Sequence, residues 1–246
     1  MSLPVHWVPS LDGARVGSTV DVTGDEAHHA VTVRRTRVGE RVALTDGLGR
    51  AVVGTVSSTG KRELSVTVAS VVDSPLPEPV VTVVQAIPKG NRGELAVEVL
   101  TEIGVARVVP WAAARSVAVW KGERARRSVE RWRATAREAS KQARRPWFAG
   151  VDDLVSTAGV VELIAGAHLA VVLHEEATTP LSELRVPAVG SIVVVVGPEG
   201  GLSDDEVATF QAAGAHVVRL GPEVLRTSTA GVAAVAAMLS RTPRWS

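Results

Sequence analysis

Three stretches of this 246-residue chain concentrate residue types that hold ligands. They read Leu173-His174-Glu175-Glu176, then Gly197-Pro198-Glu199-Gly200-Gly201-Leu202, then Leu220-Gly221-Pro222-Glu223-Val224-Leu225-Arg226-Thr227-Ser228-Thr229-Ala230. Each follows a short apolar run (residues 167–173, 191–196 and 216–220) that reads as a buried strand. Open parallel sheets bind ligands outside the carboxyl ends of their strands. Glycines at 197, 200, 201 and 221 let a ligand come close to the backbone and offer bare amides. The pattern is neither G-x-G-x-x-G nor a Walker loop, so dinucleotide and P-loop chemistry are unsupported. His174 has acidic neighbours but no second histidine at ligand spacing, so no metal site is expected. Glycine-rich turns are also common as plain connections.

These loops need a parallel sheet to carry them, and residues 80–246 read as one. The β-branched run 80–87 is followed by a helix over 91–103 that ends at Gly104. Residues 107–111 form a short strand. The clearest helix covers 123–144, with Ala125, Val129, Trp132, Ala136, Ala139 and Ala143 on one stripe. Arg126, Arg127, Arg131, Arg133, Arg137, Lys141 and Arg144 surround that stripe, and Pro146 stops the helix. Helices over 203–213 and 229–239 complete an alternating, mostly parallel α/β domain.

The first 72 residues read differently. Short β-rich runs at 19–23, 41–44, 51–57 and 63–71 alternate with turns such as Asp46-Gly47, which predicts a small barrel. A helical turn over 25–30 takes Thr23 or Asp25 as its cap. Three prolines within residues 73–79 mark a linker, giving domains 1–72 and 80–246.

The chain has no cysteine, which removes disulfides, thiolate metal sites and a cysteine nucleophile. Its longest strongly apolar run, 192–196, is too short to span a bilayer, and no secretory pattern opens it. A cytoplasmic location is the expectation. The formal charge is only +1, yet residues 107–147 alone carry +9. Such a stretch is the footprint of a polyanion partner, or else a solvated arginine-rich helix face.

GPEGGLSDDEV followed by LGPEVLRTSTA closely resembles the RsmE family of ribosomal RNA methyltransferases, of the knotted SPOUT class. Further matches occur in the same order along nearly the whole chain. They are His28-His29-Ala30-Val31-Thr32-Val33-Arg34-Arg35 with Val38-Gly39-Glu40, then Lys89-Gly90, Thr101-Glu102-Ile103-Gly104-Val105, Pro110, Arg115-Ser116, and Gln142 with Arg145. The resemblance implies a PUA-like RNA-binding barrel before a trefoil-knot domain that binds S-adenosylmethionine. It implies methylation of N3 of one uridine in 16S rRNA of the small ribosomal subunit. It also implies a homodimer, expected here to bury Val232, Val235, Ala236 and Leu239 of the last helix.

On this resemblance Leu173, His174, Gly197, Glu199, Gly200, Leu220, Gly221, Leu225, Thr227 and Ala230 hold the cofactor. Arg226 is the catalytic candidate, because a permanent, forked cation can stabilise the charge a deprotonated uracil spreads over O2 and O4. Its plain alternative is a salt bridge that fastens the knot. Arg34, Arg35, Lys89, Arg92, Arg115 and Arg145 are the RNA contacts. A different RNA target stays open because surface shape chooses it, and two departures from the family pattern, Ser228 and Glu223, keep open an inactive RNA-binding assembly factor.

Overall fold

The computed structural model describes residues 3–245. Its contacts divide the chain into two compact units. One holds the chain up to Leu76 together with Ser140–Phe148; the other holds Pro77–Ala139 and the chain from Ala149 onward. The first unit is therefore not one continuous stretch of sequence.

The first unit is built on strands β1 (Val5–Trp7), β2 (Thr19–Thr23), β3 (Arg41–Thr45), β4 (Arg50–Thr59) and β5 (Glu63–Asp73). They form one sheet in the order β1-β3-β4-β5-β2, antiparallel except for the β1/β3 pair. Leu64, Val66 and Val68 alternate inward along β5, as period-two patterning requires of a one-sided sheet. Opposite them, Gly54 marks an irregularity in β4: a Cβ there would lie 2.4 Å from the Thr67 carbonyl. The Asp46-Gly47 turn is closed by Asp46 Oδ1, which accepts the Leu48 amide at 2.7 Å. A short helix α1 (Gly24–His28) runs into a π-helical turn (His29–Val33), and together they bury Ala27 and Ala30. Thr23 precedes α1 but its side chain makes no capping bond.

The second unit alternates strand and helix. Its elements are β6 (Val80–Ala86), α2 (Arg92–Glu102), β7 (Arg107–Trp111), α3 (Gly122–Gln142), β8 (Gly150–Val151), α4 (Thr157–Ala165), β9 (Leu169–Leu173), β10 (Ser191–Val196), α5 (Asp204–Ala212), β11 (His216–Val218) and α6 (Thr227–Leu239). The last three residues of α3 group with the first unit. The sheet runs β11-β9-β10-β6-β7-β8, and every pairing is parallel. Both faces of β6 and β10 are covered, which is why their sequences are mainly β-branched and apolar. Val83 and Val194 belong to a core with Leu100, Trp132 and Ala234 on one face. Val84 and Val195 belong to a separate core with Trp111, Val172 and Phe210 on the other.

Helix α6 differs from the expectation of an open dimer face. Val235 and Leu239 are fully buried in the unit's own core. Gly231 lets α6 close onto the sheet, since a Cβ there would sit 3.2 Å from Val196 and 3.3 Å from Leu100. Val232 and Ala236 remain partly exposed. Among the described residues no helix is long and apolar enough to cross a membrane.

Candidate functional site

The loops that follow β9, β10 and β11 converge on one cavity. Parallel pairing of adjacent strands places their carboxyl ends together, so the three loops share one edge of the sheet. The first loop is tied to β11 by the His174 amide, which donates to Val218 O at 2.9 Å. The His174 ring accepts the Glu176 amide through Nδ1 at 3.1 Å, which orients the ring. The second loop turns at Gly201, whose φ is +71° and whose amide donates to Pro198 O. It then enters α5 through a capping box: Ser203 Oγ accepts the Glu206 amide while Glu206 Oε2 accepts the Ser203 amide. In the third loop Arg226 is the N-cap residue of α6, and its carbonyl accepts the amides of Thr229 and Ala230.

Leu173, His174, Gly197, Gly200, Leu220, Gly221, Leu225, Thr227 and Ala230 all line this cavity. Glu199 does not. Its Oε1 accepts the Lys89 amide at 3.0 Å, which holds the loop after β6 rather than a ligand in the cavity. Nor does Glu199 cap α5, a task that falls to Ser203. Arg226 lies between two lining residues with its side chain exposed, and no ion pair or hydrogen bond to its guanidinium occurs among the described residues. Among the described residues, therefore, no salt bridge from Arg226 fastens this loop.

Several lining groups had no cofactor role assigned from the sequence. Glu175, Glu176, Asp204 and Glu223 face the cavity against only Arg115 and Arg219. That surplus of negative charge favours a cationic ligand. Among the described residues the backbone groups of Leu220, Gly221 and Leu225 have no backbone partner, leaving donors and acceptors for a heterocycle edge. Apolar walls, free backbone groups and acidic surplus together fit S-adenosylmethionine, an adenosine joined to a sulfonium. Beneath the third loop, the fully buried Gln85 is next to last in β6 and donates to Thr227 O and Ala86 O at 3.2 Å. A long polar side chain near the end of a mainly apolar strand was its only signal in the sequence.

The expected RNA contacts have different surroundings. Arg34 and Arg35 are exposed on the first unit, and Arg35 adopts φ +56° just past the π-helical turn. Lys89 is exposed and Arg92 half-buried on the second unit. Arg115 lines the cavity, and its Nη1 donates to Leu202 O at 2.9 Å. Arg145, in the first unit, donates through Nε to Trp147 O at 2.9 Å. Much of the charge on α3 is paired: Arg126 and Arg127 with Glu123, Arg131 with Glu94, Arg133 with Glu130 and Asp153. Trp132 is core, packed edge-on against Trp120 with centroids 5.1 Å apart. Among the described residues no cluster of three His, Asp or Glu could hold a metal ion.

Comparison with known proteins agrees with this arrangement. A model described as RNA methyltransferase domain matches residues 74–239, and one described as RNA methyltransferase PUA domain matches residues 22–69. Ribosomal RNA small subunit methyltransferase E of Mycobacterium bovis is 46% identical over 234 residues, covering 93% of this chain and 89% of that protein. A methyltransferase of Legionella pneumophila, solved with bound S-adenosylmethionine, superposes with a TM-score of 0.89 at 25% identity over 98% of this chain and 99% of that one. Ribosomal RNA small subunit methyltransferase E from Neisseria gonorrhoeae, also bound to S-adenosylmethionine, gives 0.86 at 27% identity over 97% and 98%. Two models that between them span both units, and a relative of this identity along nearly its whole length, show that the chain belongs to the ribosomal RNA small subunit methyltransferase E family.

Proposed function

We propose that this protein methylates N3 of a specific uridine in 16S rRNA, with S-adenosylmethionine as methyl donor. The observation that carries the reading is the cavity formed by the loops after β9, β10 and β11, with Arg226 between the lining residues Leu225 and Thr227. When bound, S-adenosylmethionine supplies a methyl group on an electrophilic sulfonium. Apolar Leu173 and Leu225 would enclose the adenosine, and the backbone of Leu220, Gly221 and Leu225 would bond its edge. The acidic side chains facing the cavity favour the cation.

Arg226 is the catalytic residue in this reading. Uracil N3 reacts only after losing its proton, and the charge then spreads to O2 and O4. An unpaired guanidinium meets that charge without competing for the proton. Alignment of N3 with the methyl group accounts for much of the remaining acceleration. Arg34, Arg35, Lys89 and Arg92 bind phosphates, which supply affinity rather than choice of base. Selection of one uridine requires an unstacked, accessible base.

The protein works in the cytoplasm, where 16S rRNA is assembled into the small subunit, and as a homodimer. Support for the dimer comes from apolar surface left on the paired helices α2 and α6, where Leu95 is 45% exposed and Val232 and Ala236 are partly so. Mass-spectrometric mapping of small-subunit rRNA from a strain lacking this gene tests the whole reading. Purified protein and S-adenosylmethionine should create 3-methyluridine at one position. A methyl group elsewhere would move the target. Cofactor binding without any methyl transfer to this RNA would also exclude it as substrate, and absence of cofactor binding would leave an RNA-binding factor.

A further inference from the structure

The segment after β7, residues 112–116, donates two hydrogen bonds to the glycine-rich loop after β10 and its α5 entry. The Ala114 amide donates to Glu206 Oε1 at 2.8 Å. The Arg115 guanidinium donates through Nη1 to Leu202 O at 2.9 Å. Between them the backbones touch: a Cβ on Gly200 would lie 3.0 Å from the Arg115 carbonyl oxygen and 3.1 Å from its Cβ. Glu206 is 5% exposed, and its other oxygen accepts the Ser203 amide at 2.9 Å and the Ser203 hydroxyl at 3.2 Å. Both carboxylate oxygens are therefore committed, one to the helix cap and one to the neighbouring segment.

A helix cap needs only the first of these. The second bond makes Glu206 a brace whose far end is the backbone beside Arg115. Charge-assisted bonds of this kind are about twice as strong as neutral ones, and a buried carboxylate leaves no room for the brace to slip. The residues so fixed, Gly200 and Leu202, line the cavity, and so does Arg115.

We propose that Glu206 and Arg115 are positioning residues that hold the 197–203 loop in its cofactor-receiving shape, so that Arg115 governs affinity for S-adenosylmethionine rather than for RNA. The proposal rests on the reading that this cavity takes S-adenosylmethionine. It replaces the phosphate contact that a basic residue in this sequence context suggests.

The test is calorimetric titration of the full-length protein with S-adenosylmethionine in the absence of RNA, alongside rRNA binding and thermal unfolding. Arg115→Ala and Glu206→Ala should each weaken the cofactor by about tenfold or more, the scale of one lost charge-assisted bond. Glu206→Gln should fall between, since its amide oxygen can still accept from Ala114 but its NH2 cannot accept from Ser203. Ser203→Ala removes half of the cap and leaves the brace, so it should lower the melting temperature while cofactor affinity stays within about twofold. Equal cofactor loss in Ser203→Ala and Glu206→Ala would reduce Glu206 to a cap and overturn the proposal. Unchanged cofactor affinity in Arg115→Ala with weakened RNA binding would also overturn it. Should Glu206→Ala fail to fold, the exposed Arg115 still decides the matter. Failure of the unsubstituted protein to bind S-adenosylmethionine would instead sink the underlying reading of the cavity.

Discussion

Glu26 and Lys141 lie 115 residues apart in sequence, yet the Lys141 ammonium donates to both oxygens of the Glu26 carboxylate, at 3.2 and 2.9 Å. Both side chains are largely buried within the first unit, at 15% and 11% exposure. His6 Nδ1 stands 3.4 Å from the same carboxylate, and the Trp7 amide donates to it at 3.3 Å. Burial pushes the Glu26 carboxyl up, but contacts with His6, Lys141 and Trp7 outweigh it and bring the pKa down to about 2 from 4.5.

A carboxyl depressed on folding stabilises the native state above its unfolded pKa. That contribution is lost as pH falls from about 4.5 through about 2. The shift corresponds to roughly 3 kcal/mol at neutral pH. Glu26→Gln should lose this stability at pH 7 and show a flatter decline in acid. Urea midpoints measured from pH 6 to pH 2 for both proteins would check it; parallel curves would mean that Glu26 carries no such weight.

Arg226→Ala should reduce turnover by about a hundredfold or more, the scale of a lost oxyanion-stabilising donor. Its side chain has no partner among the described residues, so the melting temperature should not move. Affinity for S-adenosylmethionine should stay within a few-fold. A large loss of cofactor binding or of dimerisation would assign Arg226 to holding the loop instead.

Gly93→Ala tests how α2 meets α3. The added Cβ would lie 2.6 Å from Trp132 Cζ2, inside the core of the second unit. Overpacking of this kind costs about 1–3 kcal/mol, more than alanine gains as a helix former. Chemical denaturation should report a net loss of stability, and a gain would show that the Trp132 ring has room to yield.

Arg35 holds a left-handed conformation that suits glycine better than arginine. Arg35→Gly should therefore change stability by less than about 1 kcal/mol, because relief of that strain offsets the greater freedom of the unfolded chain. Binding to rRNA should nonetheless weaken, and its dependence on salt should become shallower by about one unit of slope. An unchanged slope would remove Arg35 from the RNA contacts.

What could be read in advance was whatever repeats along the chain. Of the expected stripe along α3, Val129, Trp132, Ala136 and Ala139 are buried, and Ala125 and Ala143 toward its ends are partly so. The apolar run of β10 needed no further context. Helix α4 escaped notice because Val160, Val161, Leu163 and Ile164 crowd together without the spacing of a single face. Strand β1 is only three residues long and pairs in parallel with β3, so nothing local announces it. Strand β11 stops at Val218 because the next amide, that of Arg219, turns to Thr179 O. The tasks of Arg115 and Glu199 were out of reach for the same reason: each is set by a partner some 87 or 110 residues away. Val235 and Leu239 were misread because an apolar helix face looks the same whether its own sheet or a second copy covers it.

The central strand β6 waits longest for its neighbours. Val80 pairs with Ser191, and the Gln85 amide donates to Thr227 O, 142 residues further on. A chain emerging from the ribosome thus exposes a mainly apolar strand while its far partner is still unmade. Premature termination anywhere before α6 leaves that strand without the cover of α6 and its buried amide without Thr227. A chain cut short before α6 therefore lacks the cover that closes the second unit's core on that face of the sheet.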